Sequence, residues 1–256
     1  MSTALPAASR TRLLLDLGNT RLKWLLQHSD GRHEAGDAAH ADFQLLAARF
    51  AALPRPEQIF GCSVASPALT AVLHDSCMAQ WAIPASWLRV SRQALGVSNR
   101  YRQLEQQGPD RWAAILGAHS LYPGQALVVA SAGTALTIDA LTADGTFLGG
   151  MILPGYRLMK ASLAAGTARL PDAGGNYHDF PASTEDAIET GVLTALAASV
   201  EAALSRMLRR AEEPLLLLAG GDATRIAPLL ATPAQFEPDL VLRGLAALAQ
   251  AKEFNQ

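Results

Sequence analysis

The sequence predicts an α/β protein built from two similar halves, on three observations. Short apolar, strand-like runs alternate with helix-length segments along the 256 residues. A β-rich opening occurs twice. LLLDLGNTRLKWLL at 13–26 and LVVASAGTALTIDAL at 127–141 each pass from an apolar strand, through a small or acidic residue and a Gly-Thr-type turn, into an alternating strand. Helices follow each opening, so a boundary is expected near 115–125, with domains at 1–117 and 118–256.

Taken in order, strands are expected at 12–17 and 21–26, joined by Gly18-Asn19-Thr20, because Asn beside Gly between apolar runs signals a hairpin. A helix is expected at 42–52, closed by Pro54 and Pro56. A strand at 58–64, a helix at 67–79 and a strand at 86–90 follow. Trp112, Ile115, Leu116 and Leu121 recur at helical spacing over 110–121. The second half opens with strands at 126–131, 134–141 and 146–153, turning at Ala132-Gly133 and Asp144-Gly145. A helix after Pro154, a Gly-rich loop at 171–182, a long helix from 184 to 209, a strand at 215–219 and helices at 222–231 and 241–252 complete the chain.

Composition narrows the function classes. Half the residues are apolar and 17% are charged, which suits a packed core and not disorder. A chain of this length buries roughly 70–75% of its unfolded surface. Gly 20 and Pro 14 are near average, which excludes collagen-like chains. A formal net charge of −2 offers no broad positive face, so no nucleic-acid partner is expected. Cys62 and Cys77 are too few for a disulfide framework and lack zinc-ligand spacing, which suggests a reduced, cytoplasmic setting. The apolar stretch Leu13–Leu15 is shorter than a signal peptide needs, and no apolar run reaches membrane-spanning length, so no membrane role is expected. The six histidines form no HExxH pair, and GxSxG, Walker A and GxGxxG are absent.

Four segments have the residue types that chemistry needs. Asp16-Leu17-Gly18-Asn19-Thr20-Arg21-Leu22-Lys23 combines a strand-end carboxylate, a glycine hairpin, a hydroxyl and a cation. That set suits a Mg²⁺–nucleotide cradle, and a plain hairpin with an Asx turn accounts for the same residues. Ser131-Ala132-Gly133-Thr134-Ala135 is a matching clamp or a simple β-turn. In Gly108-Pro109-Asp110-Arg111-Trp112, spacing alone favours Asp110 as a helix cap over a general base, with Arg111 as a carboxylate partner. Gly220-Gly221-Asp222 is a tight turn or a close approach to a purine ring.

Together, in this order and at these distances, the segments resemble the type III pantothenate kinases over about residues 12–249. DLGNTRLK at 16–23 resembles that family's first phosphate motif. GPDRW at 108–112 is similar to its pantothenate motif, and AGTALTID at 132–139 to its second phosphate motif. LGGMILPG at 148–155 is similar to the strand and turn that follow, and AGGDA at 219–223 to the adenosine motif. Asn99 and Tyr101 fit the family's Asn-x-Tyr element, and Ser183-Thr184 with Ala187 and Gly191 fits its helix opening.

The resemblance implies a duplicated ribonuclease-H-like fold of the actin and hexokinase type, with a cleft between two similar domains. It implies ATP-dependent phosphorylation of pantothenate at the 4′-hydroxyl, towards coenzyme A, by a homodimer. ATP would be bound by residues 16–23, Gly133, Thr134, Gly220 and Gly221, with Asp16 holding Mg²⁺ through the phosphates. Asp110 would be the base. Asn99, Tyr101, Gly108, Pro109, Asp110 and Arg111 would bind pantothenate, with Thr184 reaching it from the partner subunit. The family's K⁺ or NH₄⁺ site has an Asp where this chain has Ser131, a far poorer cation ligand. LEQQ stands before Gly108 where Pro-x-Gln-Leu is usual, and Ala219 replaces a common Thr before the glycine pair. Two rivals are a non-catalytic accessory protein of the same fold that binds nucleotide or a protein partner, and a kinase for a different small alcohol.

Overall fold

The computed structural model describes residues 10–167, 170 and 174–254. They group into two compact units, one of the described residues up to 123 with those from 239 onward, the other of those between 124 and 238.

The first unit is organised around β1 (Arg12–Leu17). Leu13, Leu14, Leu15 and Leu17 are fully buried, as expected of a central strand covered on both faces. The chain turns at Asn19-Thr20 into antiparallel β2 (Arg21–Gln27), which pairs with β3 (His33–Ala39). A 3₁₀ stretch (His40–Leu45) and α1 (Leu46–Ala51) lead to β4 (Gln58–Ser63), parallel to β1. Next is α2 (Pro67–Trp81), capped by the Ser66 hydroxyl and opened by Pro67, both favoured at a helix start. It returns the chain to β5 (Ala85–Trp87), parallel to β4. The sheet order is β3-β2-β1-β4-β5. Phe50 anchors its core between Trp24, edge-on at 5.8 Å, and Trp81 at 5.1 Å.

A small hairpin, β6 (Gln93–Ala94) and β7 (Val97–Asn99), turns through Leu95 and Gly96, both at positive φ. Two positive-φ residues match the twist of a two-residue hairpin, and the Leu95 amide is tied to Glu253 Oε2 at 2.7 Å. Then comes α3 (Pro109–Leu121), with Gly108 at its N-cap.

The second unit repeats the plan. β8 (Leu127–Ala132), β9 (Ala135–Leu141) and β10 (Thr146–Pro154) form an antiparallel meander. Helices α4 (Tyr156–Gly166) and α5 (Thr184–Leu208) precede β11 (Leu215–Ala219), parallel to β8. A short α6 (Ala223–Ile226) leads to β12 (Ala234–Phe236), parallel to β11. Numbered within its own unit, each five-strand set runs 3-2-1-4-5, with the first three strands antiparallel and the last two parallel. The duplication seen in the sequence is thus a duplication of topology. α5 has the length and apolar content of a membrane span, yet Val192, Leu196 and Val200 pack into the core against β8 and β9.

The last helix, α7 (Leu240–Ala251), groups with the first unit, whereas the sequence boundary placed 118–256 together. The physical reason is a glycine contact with α3. A Cβ at Gly117 would sit 2.1 Å from the Leu240 carbonyl oxygen, and one at Gly244 would sit 1.9 Å from that of Ala113. The two backbones touch where neither residue has a side chain.

Several elements depart from the sequence expectation. The strand expected at 86–90 is only Ala85–Trp87, and the helix expected at 222–231 shrinks to α6 plus a 3₁₀ turn at Ala227–Leu229. β3, β6, β7 and β12 have no strong alternation in the sequence to mark them as strands. The Gly-rich loop expected at 171–182 falls partly outside the described residues.

Replacing Gly117 with Val should force α3 and α7 apart and destabilise the protein by about 1–3 kcal/mol or more. Urea unfolding should show a lower midpoint with a similar slope.

Candidate active site

In the first unit, strand register builds the site. Asp16 lies near the end of β1, opposite Lys23 on β2 and Cys62 on β4. The Cys62 thiol donates to Asp16 Oδ1 at 3.6 Å. Burial raises the Asp16 carboxyl to about 6, Asp110 repels it further, and Lys23 opposes the shift. The Cys62 thiol is pushed well above its ordinary range by burial and by the Asp16 charge.

Gly18 closes the hairpin with its N–H donating to the Arg21 carbonyl at 3.0 Å. Its φ is not positive, and an added Cβ would meet only that oxygen at 3.4 Å. The fold of this turn therefore requires glycine neither for an unusual conformation nor for a close backbone approach. Asn19 and Thr20 are exposed, and the Thr20 carbonyl accepts the His40 amide at 3.1 Å. Lys23 lines a cavity of about 320 Å³ with Asp37, Asp239 and Arg243.

Asp110 occupies the first turn of α3 but is not its cap, a place Gly108 takes. Its Oδ1 accepts the Arg111 amide at 2.8 Å, so part of the capping chemistry is present. Burial raises the Asp110 carboxyl, and the Arg111 amide and guanidinium oppose the rise. Arg111 is 5% exposed and donates to the Tyr101 hydroxyl at 3.1 Å, with its guanidinium 5.7 Å from the ring centre. Asn99 is buried and held by protein partners, accepting the Tyr101 amide at 2.9 Å. The first unit thus gathers two desolvated carboxylates, with Asp16 raised further by the Asp110 charge, and an Arg–Tyr pair next to one of them.

In the second unit, the turn at Gly133-Thr134 and the turn at Gly220-Gly221 are brought together. The Ala132 carbonyl accepts the Asp222 amide at 3.1 Å. Gly220 has φ +87°, and a Cβ there would fall 2.1 Å from that same carbonyl oxygen, so glycine is required on both counts. A Cβ at Gly155 would lie 2.0 Å from the Gly133 carbonyl oxygen. Gly133 and Thr134 are exposed, and Ser131 lies between Thr137 and Ala219 in the sheet register. Thr184, at the start of α5, lines an apolar groove of about 560 Å³ with Met159, Leu163 and Ile188.

Sequence reasoning missed two groups. Cys62 touches Asp16 from 46 positions away, across a parallel pairing that no local pattern reveals. Lys160, one of three lysines, forms a buried ion pair with Glu189 at 3.0 Å, and the Tyr156 hydroxyl donates to the same carboxylate at 2.7 Å. That pairing compensates two desolvated charges in the core of the second unit.

Residues 12–206 match the family model of type III pantothenate kinase. The chain belongs to the type III pantothenate kinase family. A type III pantothenate kinase of Chromobacterium violaceum is 42% identical over 240 residues, 93% of this chain and 99% of that protein. One from an Azoarcus species is 42% identical over 241 residues, covering 93% of this chain and 90% of that protein. Among solved structures, the activator of 2-hydroxyisocaproyl-CoA dehydratase from Clostridium difficile superposes with TM-score 0.53 at 12% identity, covering 95% of each chain. MreB 5 of Spiroplasma citri gives 0.50 at 9% identity, covering 97% of this chain and 98% of that one. The fold of this pantothenate kinase family member is the duplicated ribonuclease-H-like fold of the actin and hexokinase ATPases.

A carboxyl near 6 in the fold and near 4 when unfolded destabilises the folded state wherever it must be ionised. In metal-free buffer, Asp16→Asn should therefore raise Tm above about pH 6, and the gain should vanish below about pH 4. Thermal melts across that range check the sign.

Proposed function

We propose that this chain transfers the terminal phosphoryl group of ATP to the 4′-hydroxyl of pantothenate, the first step towards coenzyme A. The observation that carries the reading is the Asp110–Arg111–Tyr101 cluster beside the desolvated Asp16. It joins a carboxylate able to take a hydroxyl proton to a buried guanidinium suited to an anionic acceptor substrate. The curated relatives share the enzyme's name, which favours catalysis over the accessory-protein alternative.

In this reading, backbone amides of 18–20 and 133–135, with Thr20 and Thr134, cradle the ATP phosphates, and Arg21 and Lys23 add positive charge. Gly220 and Gly221 leave the space an adenosine needs. Asp16 is a hard oxygen ligand whose charge is already penalised, so a divalent cation fits it. When bound, Mg²⁺ neutralises charge on the transferring phosphates. The chain's own residues do the positioning. Arg111 and Tyr101 hold the pantothenate end that carries the carboxylate, with Gly108 and Pro109 shaping the wall and Asn99 supporting it. Asp110 accepts the hydroxyl proton as the oxygen attacks phosphorus, and the P–O bond to ADP breaks. A K⁺ or NH₄⁺ ion would gain only a neutral hydroxyl at Ser131, so no step is assigned to it.

A homodimer fits the exposed Ile152, Leu158 and Phe180 and the apolar groove by Thr184. Both cysteines are free and buried, in keeping with a reduced cytoplasmic setting.

ATP consumption should be stimulated by pantothenate and not by a panel of sugars and hydroxy acids, with K⁺ present or absent. Asp110→Asn should lower kcat by about 10²–10⁴ while Tm stays near that of the parent. A mutant that loses Tm and keeps its turnover would return Asp110 to a purely structural role. Light scattering should report twice the chain mass.

A further inference from the structure

The segment between β7 and α3 holds a second polar pair beside the proposed substrate residues. Gln107 immediately precedes the N-cap of α3 and is 3% exposed. Its backbone amide donates to the Leu104 carbonyl at 3.1 Å, and its side chain meets Asn99, which is 2% exposed.

Hydrogen bonding fixes which way both amides face. The Tyr101 N–H donates to Asn99 at 2.9 Å, so Oδ1 lies on that side. The Ser91 carbonyl accepts from Asn99 at 3.2 Å, so Nδ2 lies on the other. Nδ2 also donates to Gln107 at 2.8 Å, and Gln107 must present its oxygen there. The Gln107 Nε2 is left buried with no acceptor among the described residues. A buried unsatisfied amide costs about 1–3 kcal/mol. An unbranched apolar residue would leave one buried N–H, on Asn99, without its acceptor in place of the two on Gln107, so folding alone does not explain a glutamine here.

We infer that Gln107 is a specificity-determining positioning residue of the acceptor pocket, acting through Asn99 on Tyr101. The segment is fastened by two rungs, Asn99–Gln107 and Tyr101–Arg111. The Arg92 guanidinium braces the outer edge, donating to the Asn99 and Tyr101 carbonyls at 2.8 and 2.7 Å. The first rung locks the Asn99 amide, and that amide holds the Tyr101 backbone. The Tyr101 hydroxyl then stands opposite Arg111, one residue from Asp110. Without the Gln107 oxygen, Asn99 keeps the Ser91 contact but loses its lock, and Tyr101 gains freedom relative to the start of α3. The loss falls on acceptor binding and spares the nucleotide side.

The inference rests on the pantothenate kinase reading, and steady-state kinetics on the whole protein test the two separately. Failure of the wild type to phosphorylate pantothenate would sink that reading. With wild-type turnover in hand, Gln107→Met should raise KM for pantothenate about tenfold, leave KM for ATP within twofold and change kcat less than threefold. Tm should stay level or rise, because two orphan N–H groups are removed and one, on Asn99, is created. In a Tyr101→Ala background, Gln107→Met should add nothing to KM, since its route is already cut. An unmoved pantothenate KM, a parallel rise in KM for ATP, or multiplying losses in the double variant would each overturn the role. So would loss of fold in both Gln107→Met and Gln107→Leu.

Discussion

The chemistry proposed for the first unit depends on holding two carboxylates where burial penalises their charge. Asp16 lies near the end of a central strand and Asp110 in the first turn of a helix; burial raises the cost of ionising both, and the Asp110 charge adds to that cost at Asp16. Nothing in folding favours such a pair. Lys23 on the adjoining strand, the Cys62 thiol and the Arg111 amide each offset part of the repulsion. What remains is an electrostatic debt that a proton or a cation relieves. A four-leucine buried strand and the α3–α7 glycine contact supply the rigidity that keeps the carboxylates in place.

The second unit uses the same strand order for a different purpose. Where the first unit has a carboxylate near the end of its leading strand, the second ends β8 on Ser131 and Ala132, followed by an exposed glycine turn. Its close contacts are between backbones. Gly155 lies against the Gly133 carbonyl and Gly220 against the Ala132 carbonyl. A duplicated architecture has thus kept its sheet while its leading strand runs out differently, into a carboxylate in one copy and into close-packed glycine turns in the other. In the proposed reaction that difference matches what phosphoryl transfer requires, since the chemistry is mostly positioning and electrostatics.

Much of this was legible in the chain. The paired openings at 13–26 and 127–141 announced the duplication, and each became a strand-turn-strand of the expected extent. Asp110 was the hard case. Spacing favoured a cap, but Gly108 takes that place and leaves the Asp110 carboxylate one oxygen bonded to the Arg111 amide. Strands β3, β6, β7 and β12 were not legible, because short or half-exposed strands lack the alternation that marks a strand in sequence.

By itself the sequence determined the order of the long elements, the glycine turns and the family. These depend on periodicity and on residues a few places apart, and the chain displays them directly. Only the tertiary structure decided that α7 joins the first unit, that Cys62 faces Asp16, that Lys160 pairs with Glu189, and that Gln107 clamps Asn99. Each of these turns on packing, sheet register or side-chain rotamers. Such choices are settled by burial and hydrogen-bond satisfaction over the whole fold, and no window along the chain records them.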